Sequence, residues 1–558
     1  MKWFKQACVL ALFAFSMSGC SGCSSDVAGA GESCDASLSE ACEDHAHELA
    51  CLEDADGTER CLHPTGTQCK SDEELCLDGA TCVDVEDDEA RCLLDEASAC
   101  DMDDDLCGPG LVCEAVESEE EVGHQCYAPV VVEGYVFDAE SSEPVEGAQV
   151  IAFDEERSAL SDVAVTDEFG EYALRIPAVR DEEGEVIQQM FTLRASAQDY
   201  QTFPGGLRQA QPIDASRAER VEDHGEEGEE GEEGEGAYVV DTAQTDIALI
   251  ELPSDEQGFA SLSGHVDIEG GLGGVLVVAE PEDVEFEAES AATGISAVTG
   301  LDGSFTIFNV PPGEYDLRGY IADYQIDSHA VEVDEESLEN LVLVRSEEGL
   351  RDVSGQIQIV RTSGMTSVIL MVASTFDATM IRGEVPAGLR APRSGAPDVD
   401  GTWTIEGVPA GQYVVLAAFE NDDLVRSPDE GIAGTDLVYL DVPAGDGDFD
   451  AGDSFKVTEA LETVHPGADG PEGVSEAPTL RWGRISNADE YNVVVYDAFG
   501  NLTFEELGVE HEGGIDVYEV DYTGEFEAGM YYQFRVVSHR GDSENSSTEP
   551  LRGVFYRE

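Results

Sequence analysis

Basic charge is what this sequence has least of. Lysine and arginine together number 27 against 122 aspartates and glutamates, for a formal charge of −95. The only lysines are Lys2, Lys5, Lys70 and Lys456, so nearly all cations are arginines. Acidic residues run through the whole chain rather than collecting in one tail. A surface of that sign repels a phosphate backbone, which excludes nucleic acid as a partner. Adsorption to an anionic membrane face is excluded for the same reason. Long hydrophobic runs are also missing, and no stretch of 18 or more apolar residues reads as a membrane span. Cysteine stops at Cys126, leaving everything beyond it to fold by burial alone. No G-x-S-x-G, P-loop or paired Cys/His signature occurs, so catalysis has no visible home.

What is present begins at the N-terminus. Lys2 and Lys5 precede a short apolar run, Ala7 to Phe15, which Met17-Ser18-Gly19-Cys20 closes with small residues. A span needs about 20 apolar residues, so this segment reads as an export signal. Its small-small-Cys ending resembles the lipobox of bacterial lipoproteins, with Met17 in place of the usual Leu. The resemblance implies cleavage after residue 19, lipid on Cys20 and a membrane partner held through that lipid. By resemblance to enterobacterial sorting, Ser21 rather than Asp after the cysteine implies the bacterial outer membrane, facing either the periplasm or the medium. Without Lys2 and Lys5 the charge becomes −97. A distributed acidic, lysine-poor surface resembles that of proteins from salt-loving organisms, in which salt shortens the Debye length to a few Å. A carboxylate surface that gathers Ca²⁺ is the rival explanation.

All fifteen cysteines lie before residue 127. Cys8 leaves with the signal, Cys20 takes the lipid and Cys23 is odd. The other twelve fall into three quartets: Cys34, Cys42, Cys51 and Cys61; Cys69, Cys76, Cys82 and Cys92; Cys100, Cys107, Cys113 and Cys126. The second and third both begin C-x6-C-x5-C, an internal repeat of about 31–35 residues. Units this short cannot bury enough apolar surface to fold alone, so two disulfides per repeat are expected, with pairing left open. Zinc is the competing reading, and the quartets lack the C-x2-C pairs it favours. The block resembles the short cysteine-rich repeats of myxobacterial lipoproteins.

From residue 128 short alternating apolar runs, broken by Gly, Pro and Asp, predict antiparallel β-sandwiches. One hairpin signature recurs at Asp167–Leu174, Asp302–Ile307 and Asp400–Ile405, where Asp and Gly supply a tight turn and alternate residues after it point into a core. An opening strand precedes each: Val132-Glu133-Gly134-Tyr135-Val136, Leu262-Ser263-Gly264-His265-Val266 and Val353-Ser354-Gly355-Gln356-Ile357. Together with Pro144–Val150 these motifs resemble the carboxypeptidase regulatory-like domain, a transthyretin-like sandwich grouped by fold with carbohydrate-binding-like modules. That family's domain is an accessory without catalytic residues, and none is transferred here. The last segment, with Trp482, the Tyr491–Tyr496 strand and Gly529-Met530-Tyr531-Tyr532, resembles a fibronectin type III domain.

The expected fold class is therefore mostly β, disulfide-rich N-terminal repeats followed by a string of antiparallel sandwiches. The expected order is a signal at 1–19, a lipid-anchored tether at 20–33 and the repeats at 34–127. A sandwich at 128–253 follows, with an acidic Gly-Glu loop at 222–236. Further sandwiches span 258–346 and 351–445, and an acidic linker at 446–470 precedes the terminal domain at 471–558.

Few residues suggest site chemistry. Asp446, Asp448, Asp450 and Asp453 alternate in a Gly-rich stretch, which supplies the hard oxygens of a calcium loop but lacks an EF-hand's Gly at six and Glu at twelve. A solvated linker is the favoured alternative, and calcium is the one cofactor considered. Asp101 and Asp103–Asp105 carry the same idea more weakly. His45-Ala46-His47-Glu48 contains the H-x-x-E pair of metallocarboxypeptidases without the domain such a site needs. Tyr172, Phe305 and Trp403 could stack on sugars, yet their shared hairpin position favours core packing. The expected function is non-catalytic adhesion, scaffolding or binding at the envelope, with polysaccharide or envelope proteins as partners. Carbohydrate binding by the sandwiches is the second reading, and an accessory role beside a secreted hydrolase the third.

Overall fold

A computed structural model of the chain describes residues 50–557 except 54–58, 70–75, 78, 86–88, 102–105, 118–121, 155–156, 206–209, 222–236, 269–272, 282–292, 335, 361–366, 378–381, 394–398, 400, 419–424, 427–436, 459, 486–487, 542 and 550. Among the described residues the structure is strand, turn and two single-turn 3-10 segments, Ala215–Arg217 and Ala373–Thr375. Cys20, Cys34, Cys42, His45, Glu48 and the Gly-Glu loop lie outside the described residues. The chain divides into two compact units.

The first unit holds the cysteine repeats up to Cys113, with His124–Tyr127. Its strands are short, as expected where cross-links replace a core: Ala50–Glu53 with Glu59–Leu62, and Gln68–Cys69 and Ala80–Val85 on either side of Glu89–Leu94. Consecutive repeats meet through one recurring joint. His63 bridges to Cys76, and Leu94 bridges to Cys107 one repeat later. Backbone bonds of 2.8 Å from Leu94 N–H to Leu106 and from Gly108 N–H to Leu94 complete the second joint.

The second unit contains Glu114–Gly123 and everything from Ala128 onward. Its first three domains share one topology. An opening strand pairs antiparallel with the signature hairpin strand and parallel with the last strand of its own sandwich. In the first sandwich Val130–Asp138 lies between Glu171–Ile176 and the parallel strands Ala237–Asp241 and Ile247–Leu249. In the second, Ala260–Asp267 lies between Ser304–Val310 and Leu338–Val344. In the third, Arg351–Val360 lies between Thr402–Val408 and Gly447–Thr458. A second sheet closes each core. Its central pair is Gln149–Phe153 with Met190–Ser196, then Leu276–Pro281 with Gly313–Ile321, then Ser367–Val372 with Gly411–Ala418. The sandwiches are thus antiparallel except where the opening strand runs parallel to the closing strands, two in the first sandwich and one in each of the others.

Two boundaries differ from the sequence expectation. The hairpin Val112–Glu117 and Val122–Tyr127 belongs by sequence to the third cysteine repeat, yet Glu114–Glu117, Val122 and Gly123 fall in the second unit. The expected linker at 446–470 is not a linker. Gly447–Thr458 is the last strand of the third sandwich, with Phe449 packed against that core, and Thr463–His465 already pairs with Thr479–Gly483 of the terminal domain. Alternating Asp and Gly hid a strand whose ladder partner is the opening strand Arg351–Val360.

The terminal domain sets the sheet Thr463–His465, Thr479–Gly483, Val517–Asp521 against a larger one built on Glu490–Asp497 and Tyr531–Arg540. Trp482 is fully buried there, its ring 5.7 Å from that of Tyr491 and 6.0 Å from that of Tyr518.

Candidate functional site

The described cysteines of the second and third quartets pair first with third and second with fourth: Cys69–Cys82, Cys76–Cys92, Cys100–Cys113 and Cys107–Cys126. Cys51 and Cys61 are also disulfide-bonded. Cys69, Cys76 and Cys92 bring their sulfurs within 4.8 Å of one another, as do Cys100, Cys107 and Cys126. The disulfides account for that convergence, and an oxidised sulfur is not the thiolate that zinc requires.

The described members of the carboxylate quartet form no ligand cluster. Asp446, Asp448 and Asp450 are exposed, and among the described residues none belongs to a group of three ligand atoms within 4.8 Å. Asp450 instead accepts the Gly452 N–H at 2.9 Å, and the side chain of Asp453 lies outside the described residues. Asp448 and Asp450 lie on the strand Gly447–Thr458, whose ladder with Arg351–Val360 shifts register after Asp450. Asp101 is exposed, and Asp103–Asp105 lie outside the described residues.

Tyr172, Phe305 and Trp403 are buried, at 6%, 3% and 4% exposure, so none offers a face to a ligand. Each lies directly opposite the glycine of its opening strand: Tyr172 at Gly134, Phe305 at Gly264 and Trp403 at Gly355.

The groups that the structure does bring together are ones that the sequence left unmarked. Arg180 and Glu114 are fully buried, with Nε to Oε2 at 2.5 Å. Glu114 also accepts the Ala178 N–H at 2.9 Å, while Arg180 donates to the Gly184 and Ala128 carbonyls at 2.9 and 2.7 Å. The guanidinium lies 4.7 Å from the centre of the Tyr238 ring. Burial raises the pKa of Glu114, and Arg180 and the Ala178 N–H pull against that rise. A satisfied pair of this kind fixes geometry more than it adds stability, because both charges lose their water.

A second carboxylate ties three sandwiches at one point. Glu384 of the third accepts Arg194 of the first at 2.6 Å and the Ser296 hydroxyl of the second at 3.1 Å, and Arg157 of the first stands 3.5 Å from its other oxygen. Burial pushes this carboxyl's pKa up, but the two guanidinium groups reverse the effect and hold it below the usual carboxylate range. Asn309 of the second sandwich accepts the Gln198 side-chain N–H at 2.9 Å and the Asp199 N–H at 2.6 Å, and donates to the Ala197 carbonyl at 3.0 Å. Glu280 of the second sandwich accepts the Tyr320 and Ser374 hydroxyls at 2.9 and 2.8 Å, joining it to the third. Arg217 of the first sandwich reaches the terminal domain, donating to the Tyr531 hydroxyl and lying 4.0 Å from the centre of the Tyr556 ring.

A partly open cleft lies where the first sandwich meets the terminal domain. Phe203, Asp246, Tyr496, Phe499, Gln533 and Arg535 line a cavity of about 90 Å³. The Phe499 ring meets Phe137 edge-on at 5.3 Å, and Phe137 lies 5.1 Å from Tyr135, which is 41% exposed. Burial raises the pKa of Asp246 to about 6; the Tyr135 N–H opposes the rise and Asp241 adds to it.

No family model and no curated protein matches the chain. Solved structures give partial likenesses. The Bacillus anthracis TIE protein is 10% identical over 81% of this chain and 74% of its own, with a TM-score of 0.13. A streptococcal ancillary pilin is 13% identical over 59% of this chain and 97% of its own, with a TM-score of 0.14. A DUF3823 family protein from Bacteroides ovatus is 15% identical over 37% of this chain and 98% of its own, with a TM-score of 0.19. Among the described residues no helix is long and apolar enough to cross a membrane.

Proposed function

We propose that this chain is a non-catalytic lipoprotein of the bacterial cell envelope, anchored through Cys20, that serves in adhesion or scaffolding. The observation that carries this reading is how the second unit uses its buried polar groups. Glu384, Asn309, Glu280 and Arg217 each join one domain to another, so four β-domains form one continuous body. That is the organisation of a spacer or contact platform. The resemblances to regulatory-like and fibronectin-like modules, and the export signal with its small-small-Cys ending, support the same reading.

Labelling with radioactive palmitate in a Gram-negative host tests the anchor. The full-length protein is expected to incorporate label and fractionate with the outer membrane, and Cys20→Ala is expected to lose both. An unlabelled, soluble wild-type protein would overturn the anchoring. Adhesion is tested by expressing the chain in cells that lack it and counting cells retained on envelope-coated surfaces. Retention equal to that of the empty host would leave scaffolding alone.

A further inference from the structure

We propose that the cleft between the first sandwich and the terminal domain binds one pyranose ring of a neutral glycan. The proposal does not rest on the envelope reading, since it concerns the chemistry of one cleft wherever the protein resides.

The rings at the cleft differ from the other aromatics of these domains. Trp482, Tyr491, Tyr518, Tyr532 and Phe555 are buried in the terminal core. Phe203, Tyr496 and Phe499 are half-buried and turned to a shared cavity. The local chain is built to present one of them. Asp497 accepts the Phe499 and Asn501 N–H groups at 3.0 and 2.8 Å and the Asn501 side-chain N–H at 3.0 Å, which fixes the turn that carries Phe499. A sugar ring offers an apolar C–H face and a rim of hydroxyls, so it needs aromatic carbon beside hydrogen-bonding groups.

Those groups are present and available. One oxygen of Asp246 accepts the Tyr135 N–H at 3.2 Å, and the other has no protein partner among the described residues. The Tyr496 hydroxyl likewise makes no hydrogen bond among them. Together they offer an acceptor and a donor beside three aromatic rings.

Size and charge narrow the ligand. At about 90 Å³ the cavity is well below the roughly 300–1,000 Å³ of sites that engulf a drug-sized molecule, which limits it to no more than one ring. Asp246 and Asp497 face one guanidinium, that of Arg535, on a chain of charge −95. That balance repels uronic and sulfated sugars and leaves neutral hexose or N-acetylhexosamine units.

Saturation-transfer difference NMR on the full-length protein tests the assignment, with the methyl glycosides of glucose and N-acetylglucosamine as probes and glucuronate as the anionic comparison. Both neutral probes, or one of them, are expected to receive saturation, and glucuronate none. Phe499→Ala is expected to cut the neutral signal at least fivefold. Tyr496→Phe and Asp246→Asn keep the shape of the cleft and are each expected to cut it at least twofold, so the assignment stays testable if Phe499→Ala does not fold. No signal from either neutral probe overturns the proposal. So does a neutral signal unchanged in Tyr496→Phe and Asp246→Asn, or equal signals from glucuronate and the neutral probes.

Discussion

Gly355 lies opposite Trp403 across the sheet, and a Cβ on the glycine would stand 2.5 Å from the indole ring. The space that this glycine leaves is filled by the aromatic of the signature hairpin. At Gly134 a Cβ would instead stand 2.3 Å from the carbonyl oxygen of Thr245, in the turn before the last strand, and at Gly264 it would stand 2.1 Å from that of Leu341 on the last strand. The glycine of the opening motif is thus a packing requirement with two forms, one set by a ring and two by a neighbouring backbone.

Gly264→Ala tests the backbone form. The Leu341 carbonyl belongs to a paired strand and cannot move aside, so the substitution is expected to destabilise by about 1–3 kcal/mol in urea unfolding. An unchanged midpoint would mean that the parallel strand can shift.

Arg180→Met strands the buried Glu114 carboxylate without its partner. The expected cost is about 3–5 kcal/mol, measured by denaturant unfolding of the second unit. Combining it with Glu114→Gln is expected to restore part of that loss, because the uncompensated charge is then gone as well.

Glu384 makes the junction of three sandwiches sensitive to acid. Its folded pKa lies below the reference value of 4.5, so its contribution is complete above that pH and is lost as pH falls through the lowered folded value. The stability difference between wild type and Glu384→Gln is expected to shrink on acidification below pH 4.5. A difference that does not change with pH would remove the ionic account.

Asp246 works in the opposite direction. Its folded pKa of about 6 lies above the reference value of 3.8, so the ionised form opposes folding, and stability falls as pH rises between those values. Asp246→Asn is expected to stabilise by about 1–2 kcal/mol at pH 7–8, after allowance for its partial exposure, and by nothing at pH 3.5. Thermal melts at the two pH values distinguish this from a change in packing.

Peptide mapping without reduction is expected to recover Cys69–Cys82, Cys76–Cys92, Cys100–Cys113 and Cys107–Cys126. Recovery of neighbour pairs such as Cys69–Cys76 would overturn the crossed arrangement.

The all-β character, the recurring hairpins and the inward aim of Tyr172, Phe305 and Trp403 were legible because strand periodicity and turn chemistry are local. The disulfide pairing was not, since spacing alone allows every connectivity within a quartet. Gly447–Thr458 was misread because a one-sided edge strand rich in Asp and Gly has the composition of a linker, and only its partner Arg351–Val360 identifies it. Glu114 and Glu384 carried no local signal, and Arg194 carried little. Their partners lie 66 to 190 residues away, as in Glu114 with Arg180 and Arg194 with Glu384. Arg194 offered one hint, a scarce cation inside the largely buried strand Met190–Ser196. The cleft was equally invisible, because Phe203 and Phe499 come together only once two domains pack.

Each of the three sandwiches begins and ends on strands that run side by side in the same direction. The entry end of the first and the exit end of the last therefore point to opposite ends of the sheet. A pull on the chain drags these strands lengthwise past each other and strains every rung of the ladder together, instead of peeling rungs off singly. A body tethered at one end and gripped at the other would yield only at high force, and each sandwich that did yield would release its enclosed length in one step.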